Sequence, residues 1–206
     1  MKDGICYIVS AGDASKRLLP KKMSGDLVIA ADAGYLLLRG AGIEPDLYVG
    51  DGDSLGFVPD VKDKLLLPSV KNDTDTVAAV DLGFERGYGH FVLFGALGGR
   101  RFSHSLANVQ TLLYIDSRGG EGVIVDENCT VRLLTAESGE YALTQRGGYF
   151  SLFAVAGDVS VSVKGAKYEL DHGVISPDFP LGVSNEPQDG CAVTVHSGRV
   201  ILVLEP

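Results

Sequence analysis

"LYVGDGDS", residues 47–54, joins a short apolar run to two carboxylates, Asp51 and Asp53, with one glycine between them. The run is too short for a helix and ends in turn residues, which is the pattern of a strand buried on both faces. "LVIAAD" (27–32) repeats it and closes on Asp32, and "CYIVSAG" (6–12), "HFVLFGAL" (90–97) and "GVIVDE" (122–127) follow the same plan. Between these runs lie helical segments. "TDTVAAVDLGFERG" (74–87) opens on a Thr or Asp cap and ends in glycine, and "SHSLANVQTLLYIDSRGG" (103–120) spaces Leu106, Val109, Leu112 and Leu113 along one apolar stripe. Strand alternating with helix predicts a doubly wound parallel sheet.

Beyond about residue 130 the rhythm changes. "TVRLLTA", "GEYALTQ", "YFSLFAVAG", "VSVSVKG", "KYELDHG", "CAVTVHSG" and "RVILVLEP" are short and partly alternating, and "HSGRV" and "VKGAKY" read as glycine-bearing hairpin turns. This is an all-β pattern, so the predicted organisation is an α/β domain over residues 1–130 and a β-sandwich over 131–206.

Lys and Arg number 18 against 27 Asp and Glu, a formal charge of −9. That balance speaks against a nucleic-acid groove or a membrane-surface patch, both of which need clustered cations. No apolar stretch reaches the roughly 20 residues that span a bilayer, and Asp3 and Gly4 interrupt the basic start of a signal peptide. Cys6, Cys129 and Cys191 lie far apart without C-x-x-C spacing, so neither a zinc site nor a disulfide framework is indicated. A cytoplasmic location is expected.

In a doubly wound sheet, ligands bind beyond the carboxyl ends of the strands. Asp32, Asp51 and Asp53 all fall at such ends. In an extended segment, Asp51 and Asp53 point to the same side and face one cation together. Mg²⁺ suits this set, because it takes one or two carboxylates and fills its shell with water and phosphate oxygens. An EF-hand does not: counted from Asp51, its fifth and twelfth positions are Leu55 and Lys62. The competing reading is that these are ordinary turn acids. "KNDTD" adds Asp73 and Asp75 in a comparable place, which favours the cation.

No P-loop motif is present, and "SAGD" (10–13) is only a short glycine signal. "GALGGRRFSHSLAN" (95–108) follows a strand and opens a helix. Glycines there let backbone N–H groups approach an anion, and Arg100 or Arg101 supplies charge. His104 and Asn108 are one helical turn apart and share a face. A solvated Gly-Gly-Arg-Arg turn is the plainer alternative.

In order, these segments resemble the thiamine pyrophosphokinase family. The resemblance rests on Asp32-Ala33-Gly34, then Pro45-Asp46 leading to Gly50-Asp51-Gly52-Asp53-Ser54. Lys71 with Thr74-Asp75, the Gly-Gly-Arg stretch with His104 and Asn108, Asp126 with Asn128, "YFSLFAV" and Gly182-Val183-Ser184-Asn185-Glu186 continue it. It departs where the family has an acid before the histidine, since Ser103 stands there. One residue is also added in "GGRRFSH", and Asn72 stands where an Asp is common. The resemblance implies a Mg²⁺-dependent transfer of diphosphate from ATP to the hydroxyethyl group of thiamine, with release of AMP. It implies Asp51, Asp53 and Asp32 at the metal, and Asp75 at the metal or at thiamine. Gly12, Asp32, Gly34, Lys71, Thr74, Gly98, Gly99, Arg100, Arg101, His104 and Asn108 then serve the ATP side, and Ser184 and Asn185 contact thiamine. It further implies a homodimer whose sites pair the α/β domain of one chain with the β domain of the other. Two alternatives stay open: a pyrophosphokinase for another hydroxymethyl heterocycle such as a pterin, and a non-catalytic thiamine or nucleotide sensor.

Overall fold

The computed structural model describes every residue except 13, 16, 69–73, 100 and 146. It divides into two compact units, Met1–Glu127 and Asn128–Pro206.

The first unit is built on β1 (Lys2–Val9), β2 (Leu27–Ala31), β3 (Leu47–Gly50), β4 (Asp63–Leu66), β5 (Tyr88–Phe94) and β6 (Glu121–Val125). They form an all-parallel sheet in the order β6-β5-β1-β2-β3-β4. α1 (Gly34–Gly40), α2 (Asp75–Glu85) and α3 (Phe102–Ser117) complete it. The strands are continuous apolar runs because helices cover both faces. On one face Val28, Ala30, Tyr48, Val9 and Phe94 pack against Tyr35 and Leu38 of α1. On the other, Gly83 of α2 sits directly over Phe91 and Cys6, and Leu112 and Ile115 of α3 cover Gly122. Side chains at Gly83 or Gly122 would push those helices off the sheet. β1 is the switch point: the chain runs outward through β2, β3 and β4, then returns to add β5 on the opposite side. A crevice therefore opens at the carboxyl ends of β1 and β5.

Two elements had no clear sequence signal. α1 has only seven residues, and β4 is an exposed edge strand, DKLL, with no alternation. The buried stripe of α3 also differs from the expected one. Asn108, Thr111, Leu112 and Ile115 face inward, while Leu106 is half exposed.

The second unit is all-β. β7 (Thr130–Thr135), β8 (Glu140–Ala142), β9 (Tyr149–Ala166), β10 (Leu170–Ile175) and β11 (Pro187–Glu205) pair antiparallel throughout. Here the expected count of short strands was too high. "YFSLFAVAG" and "VSVSVKG" are one 18-residue strand, and "CAVTVHSG" and "RVILVLEP" are one 19-residue strand. "HSGRV" is a bend inside β11, with Gly198 at φ +79° and the pairing register shifting around Ser197. β9 bends opposite it, at Ala156 (φ +61°) and Gly157. Only "VKGAKY" makes a true hairpin, between β9 and β10. Before its bend β9 pairs with Arg199–Glu205, which also carries β7; after it, β9 pairs with the start of β11, which carries β8. The two layers enclose Phe150, Leu152, Val161, Val163, Val193, Val195, Val200 and Leu202. Among the described residues no helix is long and apolar enough to cross a membrane.

Candidate functional site

A cleft of about 760 Å³ lies over the carboxyl ends of the parallel strands. Ser10, Ala11 and Gly12 reach it from the end of β1, Asp32 and Ala33 from β2, and Asp51, Asp53 and Ser54 from β3. Thr74, Asp75 and Thr76 enter at the start of α2, Gly95, Ala96, Gly98 and Gly99 after β5, and Arg101, His104 and Asn108 at the start of α3. Nearly all the residues expected on the ATP side therefore meet in one place. Lys71 and Arg100 lie outside the described residues, as does Asp73. Gly34 is the exception: it is buried where α1 meets β1, and a Cβ there would lie 1.9 Å from the Val9 carbonyl oxygen. Its role is close packing, not contact with the cleft.

Backbone dominates the wall nearest the switch point. The Gly12 N–H donates to the Gly95 carbonyl at 2.7 Å, and a Cβ on Gly12 would come within 2.5 Å of the Gly95 and Leu97 carbonyls. Two loops thus touch with no side chain between them. Asn108 fixes the second loop: it is buried, and its Nδ2 donates to the Ala96 carbonyl at 2.7 Å. α2 is closed by Thr74, whose hydroxyl accepts from Val77 N–H, whereas no side chain caps α3 at Arg101. The first N–H groups of α3, beside Gly98 and Gly99, are thus placed to meet an anion. Arg101 Nη1 and His104 Nε2 lie 3.2 Å apart on the exposed lip. The buried hydroxyls of Ser10 and Thr76 bond across the floor at 2.9 Å, tying β1 to α2.

The acids occupy the other wall. Asp51 and Asp53 are not in an extended segment, as expected, but in a turn closed by Asp53 N–H donating to Asp51 Oδ1 at 3.0 Å. Gly52, at φ +79°, permits that turn. Both residues still line the cleft. Asp32 takes a left-handed φ of +49°, sparsely populated for a residue with a side chain. Its Oδ1 is buried with no hydrogen-bond partner. Beneath it, the wholly buried Tyr48 hydroxyl also has no partner in hydrogen-bond geometry. Burial, then the nearby carboxylates of Asp32, Asp75 and Asp51, push the Tyr48 phenol up to about 12, with the Gly52 amide acting weakly the other way. Among the described residues no three His, Cys, Asp or Glu side chains gather closely enough to cage a metal.

Asp46 belongs to the fold. Its Oδ2 accepts from Val28 N–H at 2.8 Å, pinning β2 beside β3, and it pairs with Lys22.

In the second unit, Ser184 is exposed at φ +57°, and its N–H donates to the buried Ser151 hydroxyl at 3.0 Å. Asn185 is not placed as a ligand contact. It is buried, its Oδ1 accepts from the Tyr168 and Glu186 N–H groups, and its Nδ2 donates to the Tyr168 carbonyl at 2.7 Å. Its amide pins the turn that presents Ser184. Phe153, Phe179, Leu181 and Val183 leave an exposed apolar surface in this unit, which sequence spacing did not reveal.

Comparison with known proteins agrees with this division. Residues 21–121 match the family model "Thiamin pyrophosphokinase, catalytic domain", and residues 138–202 match "Thiamin pyrophosphokinase, vitamin B1 binding domain". No curated protein matches the chain in sequence. Among solved structures, it is similar to thiamine pyrophosphokinase from Bacillus subtilis, with TM-score 0.82, 25% identity and 98% of each chain covered. It is also similar to the Geobacillus thermodenitrificans protein, with TM-score 0.80 and 27% identity over 98% of this chain and 97% of that one. The Candida albicans protein shares the fold, with TM-score 0.77 at 16% identity, over 98% of this chain and 88% of that one.

Proposed function

Because the chain belongs to the thiamin pyrophosphokinase family, we propose that its cleft binds ATP and passes the terminal diphosphate to the hydroxyethyl group of thiamine. The thiamine hydroxyl oxygen attacks the β-phosphorus, the bond from that phosphorus to the bridging oxygen of the α-phosphate breaks, and AMP leaves. The observation that carries this reading is the cleft itself, with a glycine backbone wall facing a wall of Asp32, Asp51, Asp53 and Asp75.

Such a transfer depends on alignment and charge neutralisation more than on covalent help. Gly12, Gly98 and Gly99 keep this wall free of side chains, so that phosphate oxygens approach the N–H groups at the uncapped start of α3, and Arg101 adds a cation from the lip. Asn108 and Thr74 hold those elements in place. Asp51, Asp53 and Asp32 would hold Mg²⁺; the buried, unpartnered Asp32 oxygen supports that fit. A Mg²⁺ ion held there would supply positive charge to offset the charge that develops during transfer. Asp75 receives the proton of the attacking hydroxyl.

Thiamine is contacted by Ser184 of a second copy, so the working form is a homodimer with sites shared between chains. A cytoplasmic enzyme accords with the use of ATP as co-substrate. Incubation with ATP, Mg²⁺ and thiamine should yield AMP and thiamine diphosphate in equal amounts, and chelation with EDTA should stop it. ATP binding without AMP release would instead favour a sensor, and turnover only with a hydroxymethyl pterin would move the substrate assignment.

A further inference from the structure

Two buried polar atoms in the first unit, the Tyr48 hydroxyl and Asp32 Oδ1, lack hydrogen-bond partners, and their residues meet at Gly50. The Tyr48 side chain is fully enclosed and held edge-on against Tyr35, with ring centroids 6.4 Å apart. Its hydroxyl cannot swing to solvent. A buried hydroxyl without a partner is unfavourable, and phenylalanine would fill the same space without it. The second atom is Asp32 Oδ1. Gly50 shows how close the two residues are: a Cβ built there would lie 2.8 Å from the Tyr48 hydroxyl and 3.2 Å from Asp32 Cα. Glycine at position 50 keeps that space open. One atom is a donor and the other accepts only, so a single hydrogen bond would pair both.

The backbone leaves only the side chain of Asp32 free to make this adjustment. Asp32 N–H donates to the Val49 carbonyl at 2.8 Å, and the Asp32 carbonyl accepts from Tyr35 N–H at 3.2 Å. We propose that Tyr48 is a positioning residue for the diphosphate-transfer site, donating from beneath the floor to Asp32 and fixing the direction of its carboxylate toward the cation–ATP complex. The two atoms are unbonded in the free protein, and a carboxylate oriented toward a bound cation–ATP complex would accept the bond. This inference rests on the proposed function for its ligand, but it concerns only these two side chains.

The test is Tyr48→Phe, alone and combined with Asp32→Asn. Binding of α,β-methylene-ATP is measured by calorimetry across a Mg²⁺ titration, and melting is measured without nucleotide or metal. With Tyr48→Phe, the Mg²⁺ concentration for half-maximal analogue binding should rise roughly tenfold, as expected for a hydrogen bond to a charged group. The metal-free melting temperature should hold or rise, because a buried unpaired hydroxyl has been removed. In the Asp32→Asn background the same change should shift the midpoint by less than about twofold, the sign of coupled residues. An unchanged Mg²⁺ midpoint in the single variant overturns the proposal. So does an equal loss in both backgrounds, or a lowered metal-free melting temperature, which would mean the hydroxyl already has a partner in the free protein. If the unaltered protein binds the analogue but releases no AMP from ATP and thiamine, the proposed function fails while the Tyr48 result still stands by itself.

Discussion

At the scale of single residues, Asp51 carries two jobs that can be separated. One of its oxygens accepts the Asp53 N–H that closes the turn, and its charge is assigned to the cation. Asn supplies the same acceptor without the charge. Asp51→Asn should therefore keep the melting temperature within about a degree yet cut turnover by about 10²–10³, the usual loss on removing one electrostatic support of a transferring group. Steady-state AMP release and a thermal melt decide it. Near-normal turnover would return Asp51 to being a turn former only. Asp32 illustrates a related point: its left-handed backbone is tolerable for an aspartate, and the strain sits in a residue that lines the cleft.

At the scale of elements, α3 couples a helix to a loop through Asn108. Replacing it with Ala leaves the Ala96 carbonyl without its buried donor, which should cost about 1–3 kcal/mol of stability. It should also raise the Michaelis constant for ATP more than that for thiamine. Equal effects on both substrates would deny the loop its place on the ATP side. Asn108 also marks how far the sequence could be read. Its spacing from His104 placed it in the site, but its burial and its bond to Ala96 depend on where the loop lies in space. Core strands were legible because burial on both faces leaves a continuous apolar run. β4 was not, since an exposed edge carries no such pattern, and α1 is too short for periodicity to register. The bends of β9 and β11 were mistaken for turns because glycine with positive φ serves both, and only pairing across the sheet separates them. Tyr48 looked like any core residue, since its hydroxyl has meaning only beside Asp32.

At the scale of the whole molecule, the acids of the cleft and the exposed Ser184 belong to different compact units. If each site draws on two chains, defects in the two units complement. Asp51→Asn chains mixed with Ser184→Arg chains, each inactive alone, should regain about a quarter of normal activity. Half of the randomly formed pairs then carry one intact site out of two. Subunit exchange is confirmed beforehand with tagged chains. Heterodimers that form and stay inactive would show that each chain completes its own site.

The bent strands of the second unit have a consequence for how it comes apart. β9 and β11 each run through both layers, so neither layer owns its own chain segments. Opening one layer drags the other's backbone ladder with it, and no subset of strands is left as a separate unit of unfolding. Amides of 150–154 and of 159–163, on opposite sides of the β9 bend, should therefore lose protection from hydrogen exchange at the same denaturant concentration and with the same slope. Two distinct exchange isotherms would mean that the layers melt independently in spite of sharing their longest strands.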